Sequence, residues 1–302
     1  MEIKRQYIKL RNSAELKQRI NLLNSILNSC ELCPRKCHIN RWEGELGFCR
    51  SGKDMVVSSV FPHFAEEKEL VGSQGSGTIF FTNCNLGCLC CQNFEISHLA
   101  EGEVIAKEQL AKNMLYLQEI GCHNINFVTP THFVPQIIEA LELAITQGLN
   151  LPLVYNCSGY ENVEVIKLLE GIIDIYMPDI KYSDKINAKK YSNAEDYFER
   201  AKEAVLEMYR QVGDLVIENG IAQRGLIVRH LVLPNGASGS FKVLEFLAKE
   251  VSKDTFINIM NQYRPCFKAN EFPEINRRVT KDEFNEALQM ATKLGLMHAK
   301  AY

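Results

Sequence analysis

From Gly77 onward the chain alternates short apolar runs, rich in β-branched and aromatic residues, with longer segments whose apolar residues recur every three or four positions. The short runs are typical of buried strands, and the longer segments are typical of amphipathic helices. Strands that alternate with helices pair in parallel through right-handed crossovers, so the pattern predicts one α/β unit. The predicted strands are 77–82, 124–128, 151–156, 172–177, 226–233 and 255–260.

The predicted helices are bounded by recognisable stop and start signals. Gly121 ends the first, Pro135 opens the second, and apparent capping boxes begin two others, at Ser192 with Glu195 and at Thr280 with Glu283. The resulting helices are 106–120, 134–147, 162–170, 192–212, 241–252 and 280–295. Either a doubly wound sheet or a partial (β/α)6 TIM-like barrel fits this alternation.

The segment before the first of these strands has a different pattern. Helical spacing predicts a helix over 13–29, and a β-rich run follows at 55–60. The acidic run 66–69 is expected to be a solvated loop, and His63 a hydrogen-bonded loop residue. We therefore predict an N-terminal segment over residues 1–72 and an α/β domain over 73–302.

Seven of the eleven cysteines fall in two clusters. The N-terminal cysteines have the spacing CxxCxxxCx11C, and the loop cysteines, which follow the first predicted strand, have the spacing CxxxCxxC. Clustered thiols in a chain with an odd cysteine count favour metal ligation over disulfides. The N-terminal cysteines are Cys30, Cys33, Cys37 and Cys49, and the loop cysteines are Cys84, Cys88 and Cys91.

Four thiolates at the N-terminal spacing can close a tetrahedral zinc site or hold all the irons of a cubane cluster. Gly44 and Gly47 permit the tight return that brings Cys49 back to the other three. The spacing predicts a metal site without identifying the metal. The remaining cysteines, Cys122, Cys157 and Cys266, are expected to be small buried residues, and Cys90 is considered below.

Polar residues follow or end the predicted strands. In a parallel α/β domain these positions meet at one face, and their mixture of hydroxyl, amide and charged groups is suited to a charged, hydroxylated small molecule. The candidate binding residues are Thr129, Thr131, Asn156, Ser158, Asp179, Lys181 and Arg229.

The loop cysteines leave one iron of a cubane cluster without a protein ligand, and an open metal position is typical of catalytic sites. At this motif the sequence resembles the radical S-adenosylmethionine (SAM) superfamily. Six further segments resemble an iron–sulfur group related to pyruvate formate-lyase activating enzyme, and the resemblance runs over nearly the whole chain. They are CELCPRKC at 30–37, GTIFF at 77–81, TPTH at 129–132, YNCSGY at 155–160, MPDIKY at 177–182 and RHLVLPN at 229–235.

This resemblance implies a partial (β/α)6 TIM-like barrel with a cysteine-rich N-terminal extension. It further implies that a [4Fe–4S] cluster on the loop cysteines cleaves SAM reductively. The resulting 5′-deoxyadenosyl radical would abstract hydrogen from an unidentified small molecule, peptide or glycyl-radical partner enzyme. An external reductant such as flavodoxin or ferredoxin would supply electrons, and the N-terminal cysteines would hold a second iron–sulfur cluster or zinc.

The resemblance also assigns roles to the strand ends. Thr129 and Thr131 lie where the superfamily contacts the methionyl amine, and Asn156 and Ser158 lie near the ribose and methionyl groups. Asp179 and Lys181 would line the pocket, while Arg229 would neutralise the carboxylate of SAM.

Two positions depart from the superfamily pattern. Cys90 stands before the third loop cysteine, where an aromatic residue is usual, so it is a spare thiol, a substitute ligand or a redox partner. Thr129-Pro130-Thr131 replaces the usual glycine-rich motif after the second strand. This second departure weakens the assignment of the amine contact.

Composition and charge narrow the classes of function and partner that remain. A net charge of −3 gives no reason for an obligate nucleic-acid partner, and no apolar run is long enough to span a membrane. The N-terminal residues 1–6 lack a signal-peptide core, so we expect a cytoplasmic protein. The alternative function is a non-catalytic iron–sulfur electron carrier, against which the polar strand ends argue. The sequence names neither the substrate nor the oligomeric state, and it leaves open whether SAM is consumed or regenerated.

Overall fold

The computed structural model describes residues 5–301, in which ten strands form one sheet. Apolar, β-branched segments form its buried central strands, as the sequence pattern predicts. The strands are β1 (Met55–His63), β2 (Ser76–Phe81), β3 (Glu103–Ile105), β4 (Ile125–Val128), β5 (Leu153–Cys157), β6 (Ile175–Pro178), β7 (Val216–Glu218), β8 (Ile221–Leu231), β9 (Phe256–Met260) and β10 (Ala299–Ala301).

The sheet order is β10-β9-β8-β6-β5-β4-β2-β1-β3, with β7 paired to β8. All neighbours from β2 to β10 run parallel, whereas β1 runs antiparallel to both β2 and β3. The two edge strands, β3 and β10, do not meet, so the sheet is not closed. This mostly parallel, open α/β architecture with a cysteine-rich N-terminal extension confirms the predicted fold class.

Helices connect the strands and begin or end mostly near the predicted signals. The capping box of Thr280 and Glu283 is present, and Gly295 ends the same helix in a left-handed conformation. The helices are α1 (Gln6–Asn12), α2 (Glu15–Ile26), α3 (Lys68–Val71), α4 (Phe94–Ser97), α5 (Lys107–Glu119), α6 (Val134–Thr146), α7 (Val163–Leu168), α8 (Lys185–Ser192), α9 (Tyr197–Val212), α10 (Ser240–Phe246) and α11 (Lys281–Leu294).

Three predicted elements differ from the structure. The helix predicted over 13–29 is α2, and a separate α1 precedes it across a left-handed Ala14. Ser192 does not begin a helix, because it is the last residue of α8, whose N-terminus is capped by the Asp184 carboxylate. β8 begins five residues before the predicted strand at 226 and forms a hairpin with β7 that was not predicted.

The N-terminal segment joins the α/β domain closely. Leu16, Ile20 and Leu23 of α2 are buried in the main hydrophobic core, and β1 is hydrogen-bonded to β2 across the predicted boundary at residue 72. That boundary stays a prediction. None of the helices described here is both long and apolar enough to cross a membrane.

The prediction of a solvated acidic loop after β1 was wrong. Glu67 and Glu69 are buried, with exposed fractions of 1% and 4%. Both form ion pairs, Glu67 with Arg229 of β8 and Glu69 with Lys300 of β10. Buried carboxylates require such partners, and the sequence around residue 66 gives no hint of partners more than 150 residues away.

Candidate functional site

A cavity of about 500 Å³ lies among residues from six parallel strands and the loops that follow them. Its lining includes the three loop cysteines and residues at or near the ends of β4, β5, β6, β8 and β9. Six of the seven predicted binding residues line this cavity. They are Thr129, Asn156, Ser158, Asp179, Lys181 and Arg229.

The cysteine loop is held in place by its own backbone and by neighbouring segments. Gly87 adopts φ +64, a left-handed conformation that favours glycine, and the ring of Phe48 lies against it. The amide of Leu89 donates to the carbonyl of Tyr191, and the carbonyl of Leu89 accepts from the amide of Lys268. The loop is therefore fixed from both flanks, which is what a preorganised ligand set requires.

The surroundings of the loop cysteines suit thiolate ligands. The amide of Leu86 donates to Cys84 Sγ at 3.3 Å, and the hydroxyl of Ser97 donates to Cys91 Sγ at 3.2 Å. Burial, together with the neighbouring thiols of Cys88 and Cys91, raises the pKa of Cys84 to about 12. Deprotonating these buried thiols therefore costs free energy unless a positive charge compensates the thiolates, and iron supplies that charge.

Within residues 5–301, no three His, Cys, Asp or Glu side chains converge as a ready-made site for one metal ion. A cubane cluster binds each thiolate through a different iron, so its ligands surround a larger body than a single ion. Donors directed at the sulfur atoms and the adjoining cavity fit such a cluster on the loop cysteines.

Cys90 also lines the cavity and is buried. Its sulfur lies 4.0 Å from the hydroxyl oxygen of Tyr182, and burial raises its pKa to about 12. Of the other cysteines, Cys122 and Cys157 are buried as predicted, whereas Cys266 is half-buried. Cys157 lines the cavity as well.

Thr129 has a glycine-like backbone conformation at the position where the resemblance leads us to expect a glycine-rich motif. Its φ is +59, a left-handed backbone conformation that is rare for a β-branched residue. Its amide donates to the carbonyl of Asn156 on the neighbouring strand. Thr129 therefore adopts a glycine-like backbone at the edge of the cavity, and strain of this kind is characteristic of functional sites.

Thr131 does not line the cavity, and its contact with the methionyl amine stays a prediction. Its hydroxyl donates to Glu161 Oε1 at 2.7 Å, and the Tyr155 hydroxyl donates to Glu161 Oε2 at 3.0 Å. Burial raises the pKa of Glu161 to about 7. Thr131 is thus part of a buried polar network beneath the cavity wall.

Ser158 and Asn156 border the cavity at the end of β5 and are 9% and 8% exposed. The Ser158 hydroxyl has no hydrogen-bond partner among residues 5–301. Buried polar atoms are rarely left unsatisfied, so this hydroxyl is available to a bound molecule. Beside them, Lys181 Nζ lies 2.5 Å from Asp179 Oδ2, and the two side chains neutralise each other.

Arg229 lines the cavity, but its charge is already compensated. Its guanidinium donates to Glu67 Oε1 at 2.8 Å and to Glu67 Oε2 at 2.6 Å, and it also contacts Glu66. Asn258 of β9 donates to Glu67 Oε1 at 2.7 Å. The expectation that Arg229 neutralises the SAM carboxylate is therefore not supported by its contacts.

The N-terminal cysteines do not line the cavity. Arg41, only 1% exposed, donates to Cys49 Sγ at 3.3 Å, and the amide of Phe48 donates to Cys37 Sγ at 3.5 Å. A Cβ at Gly47 would lie 2.8 Å from Cys37 Sγ, so only glycine permits this close approach. Directed donors around a cysteine-only set fit zinc or an iron–sulfur cluster.

Arg35 connects the two cysteine groups. Its guanidinium donates to the carbonyls of Asn85 and Leu86 at 3.1 Å each and to the carbonyl of Ser192 at 2.7 Å. It also lies 3.7 Å from the centre of the Phe48 ring. One side chain from the N-terminal segment thereby supports the backbone between Cys84 and Cys88.

Sequence reasoning missed Arg35, Arg41, Glu66, Glu67 and Asn258. Three of them left a usable signal. Asn258 is a polar residue within the apolar run 256–260, and Glu66-Glu67 stands between the apolar pairs 64–65 and 70–71. Arg35 and Arg41 left none, because both stand among polar residues where a solvated surface arginine is equally expected.

The family model of the Radical SAM superfamily matches residues 78–221. Uncharacterized protein MJ0674 of Methanocaldococcus jannaschii is 34% identical over 300 residues, covering 96% of this chain and 81% of that protein. Uncharacterized protein MJ0808 of the same organism is 24% identical over 298 residues, covering 90% of this chain and 79% of that protein.

Among solved structures, the crystal structure of HydG, a maturase of the [FeFe]-hydrogenase, matches with a TM-score of 0.49 and 12% identity. The match covers 72% of this chain and 48% of that chain, so this protein spans about half the length of HydG. That similarity is too low to support an argument. The family match, which includes the CxxxCxxC loop, and the nearly full-length 34% identity show that this chain belongs to the radical SAM superfamily.

Proposed function

We propose that this enzyme cleaves SAM reductively at a [4Fe–4S] cluster held by Cys84, Cys88 and Cys91. The strongest support is that these cysteines line one cavity together with the polar ends of five neighbouring strands. A non-catalytic electron carrier, the alternative, has no use for such a cavity. When bound, the reduced cluster and SAM supply a 5′-deoxyadenosyl radical that abstracts hydrogen from the substrate.

The chain's own residues bind and orient SAM. We assign Ser158 and Asn156 to the ribose and methionyl groups, because both are buried polar side chains beside the cysteine loop and the Ser158 hydroxyl has no other partner. Thr129 contacts the methionyl amine from its left-handed backbone position. The Asp179–Lys181 pair borders the same space without adding net charge.

We further propose that Cys30, Cys33, Cys37 and Cys49 bind a second iron–sulfur cluster or zinc. We propose an electron relay as the function of such a cluster, while a zinc staple would be structural; the Arg35 contacts hold this segment against the loop of the first cluster in either case. Total iron and sulfide distinguish the metals. Two cubanes require about eight of each, whereas one cubane and a zinc staple require about four of each plus one zinc.

The remaining assignments follow from the resemblance. The substrate is a small molecule, a peptide or a glycyl-radical partner enzyme, the last in keeping with the relationship to pyruvate formate-lyase activating enzyme. Flavodoxin or ferredoxin supplies electrons, and the protein is cytoplasmic. The division at residue 72 separates the second metal site from the SAM domain.

Formation of 5′-deoxyadenosine tests the proposed function. Anaerobically purified and reconstituted protein, reduced with dithionite and given SAM, is expected to release 5′-deoxyadenosine. The control is the same protein without reductant, which is expected to release none. A brown protein that binds iron and sulfide but yields no 5′-deoxyadenosine in either condition would instead be an electron carrier.

A further inference from the structure

One end of the cavity is formed by Glu66, Glu67, Arg229 and Asn258, which we term the carboxylate end. His63 of β1 pairs with Ser76 at the start of β2, and Glu66 follows His63 by three residues. The cysteine loop follows the other end of β2. In the sheet register Arg229 lies opposite Asp179 on one side and opposite Asn258 of β9 on the other.

The carboxylate end carries one uncompensated negative charge. Burial alone would raise the pKa of Glu67, but the Arg229 guanidinium outweighs burial and holds it below its ordinary value. Arg229 compensates only one of the two carboxylates that it contacts, Glu66 and Glu67. Glu66 Oε1 also accepts from the Asn126 amide at 3.4 Å, but that neutral donor leaves the negative charge in place. The other charged pair of the lining, Asp179 with Lys181, is neutral by itself. A buried excess charge is costly unless a partner binds it.

Asn258 gives a second, independent indication of a ligand. It is 6% exposed, lines the cavity, and its Oδ1 has no partner in the part of the chain that the structure describes. Because its Nδ2 donates to Glu67, the oxygen is the end left free. Amide oxygens and carboxylates only accept hydrogen bonds, so a group that satisfies both Asn258 and Glu66 must donate.

The walls between this end and the cysteine loop include the apolar side chains of Phe80, Leu231 and Met260. Building on the proposed function, we propose that the substrate is an amine whose ammonium group binds at the carboxylate end and whose apolar skeleton extends toward the loop cysteines. The methionyl amine of SAM does not fill this position, since in the proposed function it binds at the loop cysteines.

Three isosteric probes test this inference on the full-length, reconstituted, SAM-loaded protein. Ligand-observed NMR would compare cyclohexylammonium, cyclohexanol and cyclohexanecarboxylate. We expect the ammonium probe to bind at least about tenfold more tightly than the alcohol, and the carboxylate to show no binding. Equal binding of ammonium and alcohol, or preferred binding of the carboxylate, would overturn the inference without any variant being made.

Glu66→Gln then locates the site. It keeps the side-chain shape, leaves the Glu67–Arg229 pair intact and removes the excess charge. We expect about a tenfold loss of ammonium affinity, unchanged alcohol affinity and unchanged SAM affinity. Glu119→Gln, at an exposed carboxylate of α5, is the matched control.

An equal loss of SAM affinity in Glu66→Gln would assign this end to SAM and overturn the inference. The two proposals fail separately. Wild-type protein that prefers the ammonium probe but forms no 5′-deoxyadenosine would refute the proposed function and leave the amine site standing. Protein that forms 5′-deoxyadenosine but does not prefer the ammonium probe would refute the amine site and leave the proposed function standing.

Discussion

The two cysteine groups receive similar hydrogen bonds but differ in what surrounds them. In each group two sulfur atoms accept a hydrogen bond from a nearby N–H or O–H donor. The three loop cysteines line the cavity, whereas the four N-terminal cysteines do not. The group with one thiolate fewer is thus the group with space for a ligand. This is the difference that separates catalytic from structural metal sites.

The connection between the groups is as informative as the difference. Arg35 supports the carbonyls of Asn85 and Leu86, and Arg41 donates both to Cys49 Sγ and to the carbonyl of His132. The His132 ring in turn lies against the carbonyl of Thr82, just before the cysteine loop. Hydrogen bonds therefore connect the two groups, and the following predictions separate their roles.

Cys88→Ala has the largest expected effect. A cluster held by only two thiolates is not retained. We therefore expect dithionite-driven 5′-deoxyadenosine formation to fall by about 10³-fold or more, and bound iron to drop by about four atoms. Cys266→Ser, a cysteine outside the cavity, is the control and should retain both. Undiminished SAM cleavage in Cys88→Ala would refute the assignment of the loop cysteines.

Cys33→Ser tests whether the N-terminal group relays electrons. We expect activity driven by flavodoxin to fall by at least about tenfold, because the entry route is lost, while dithionite-driven activity stays within about twofold. Metal analysis should show loss of the second site alone. Equal losses with both reductants would mean that this group is a structural staple.

Arg35→Met tests the connection itself. It removes hydrogen bonds to four carbonyls, including that of Asn193, so we expect unfolding to become easier by roughly 2–3 kcal/mol, measured as the urea midpoint of the reconstituted protein. Lys36→Met, at the adjacent exposed position, is the matched control and should change stability little. An Arg35→Met protein as stable as the control would show that the two groups are held together by other contacts.

The sequence predicted the six parallel strands and the clustering of polar residues at their ends, because hydrophobic periodicity and strand-end position are local properties. It did not predict the Glu67–Arg229 pair, whose members lie 162 positions apart. The β7–β8 hairpin did leave a local signal, Asn219-Gly220, whose two positive φ values suit a tight hairpin turn. The sequence groups Thr129 with Thr131 because both follow the second predicted strand, and only the fold shows that Thr129 lines the cavity and Thr131 does not.

His132 makes the junction between the groups sensitive to acid. Burial lowers the pKa of His132 to about 3, from an ordinary value near 6.5. The unfolded chain therefore binds a proton that the folded chain does not, and stability falls as pH drops below about 6.5. We expect His132 to account for a loss of about 1.4 kcal/mol between pH 8 and pH 5.5. In His132→Gln, the loss of unfolding free energy between pH 8 and pH 5.5 should be smaller than in wild-type protein by about 1.4 kcal/mol. An unchanged pH dependence would contradict the burial of a neutral imidazole.

Thr129→Gly has the smallest expected effect on stability. A glycine in the interior of ordinary structure costs roughly 0.5–1 kcal/mol relative to alanine, but at φ +59 it also relieves strain of about 1–2 kcal/mol. The two contributions nearly cancel, so we expect the urea midpoint to remain within about 1 kcal/mol of wild type. Thr129→Val, which keeps the strain and removes the hydroxyl, is the companion variant. If the backbone conformation serves the cavity, both variants should bind SAM about as well as wild-type protein. A similar loss of SAM affinity in both variants, which both lack the hydroxyl, would assign the contact to the hydroxyl instead.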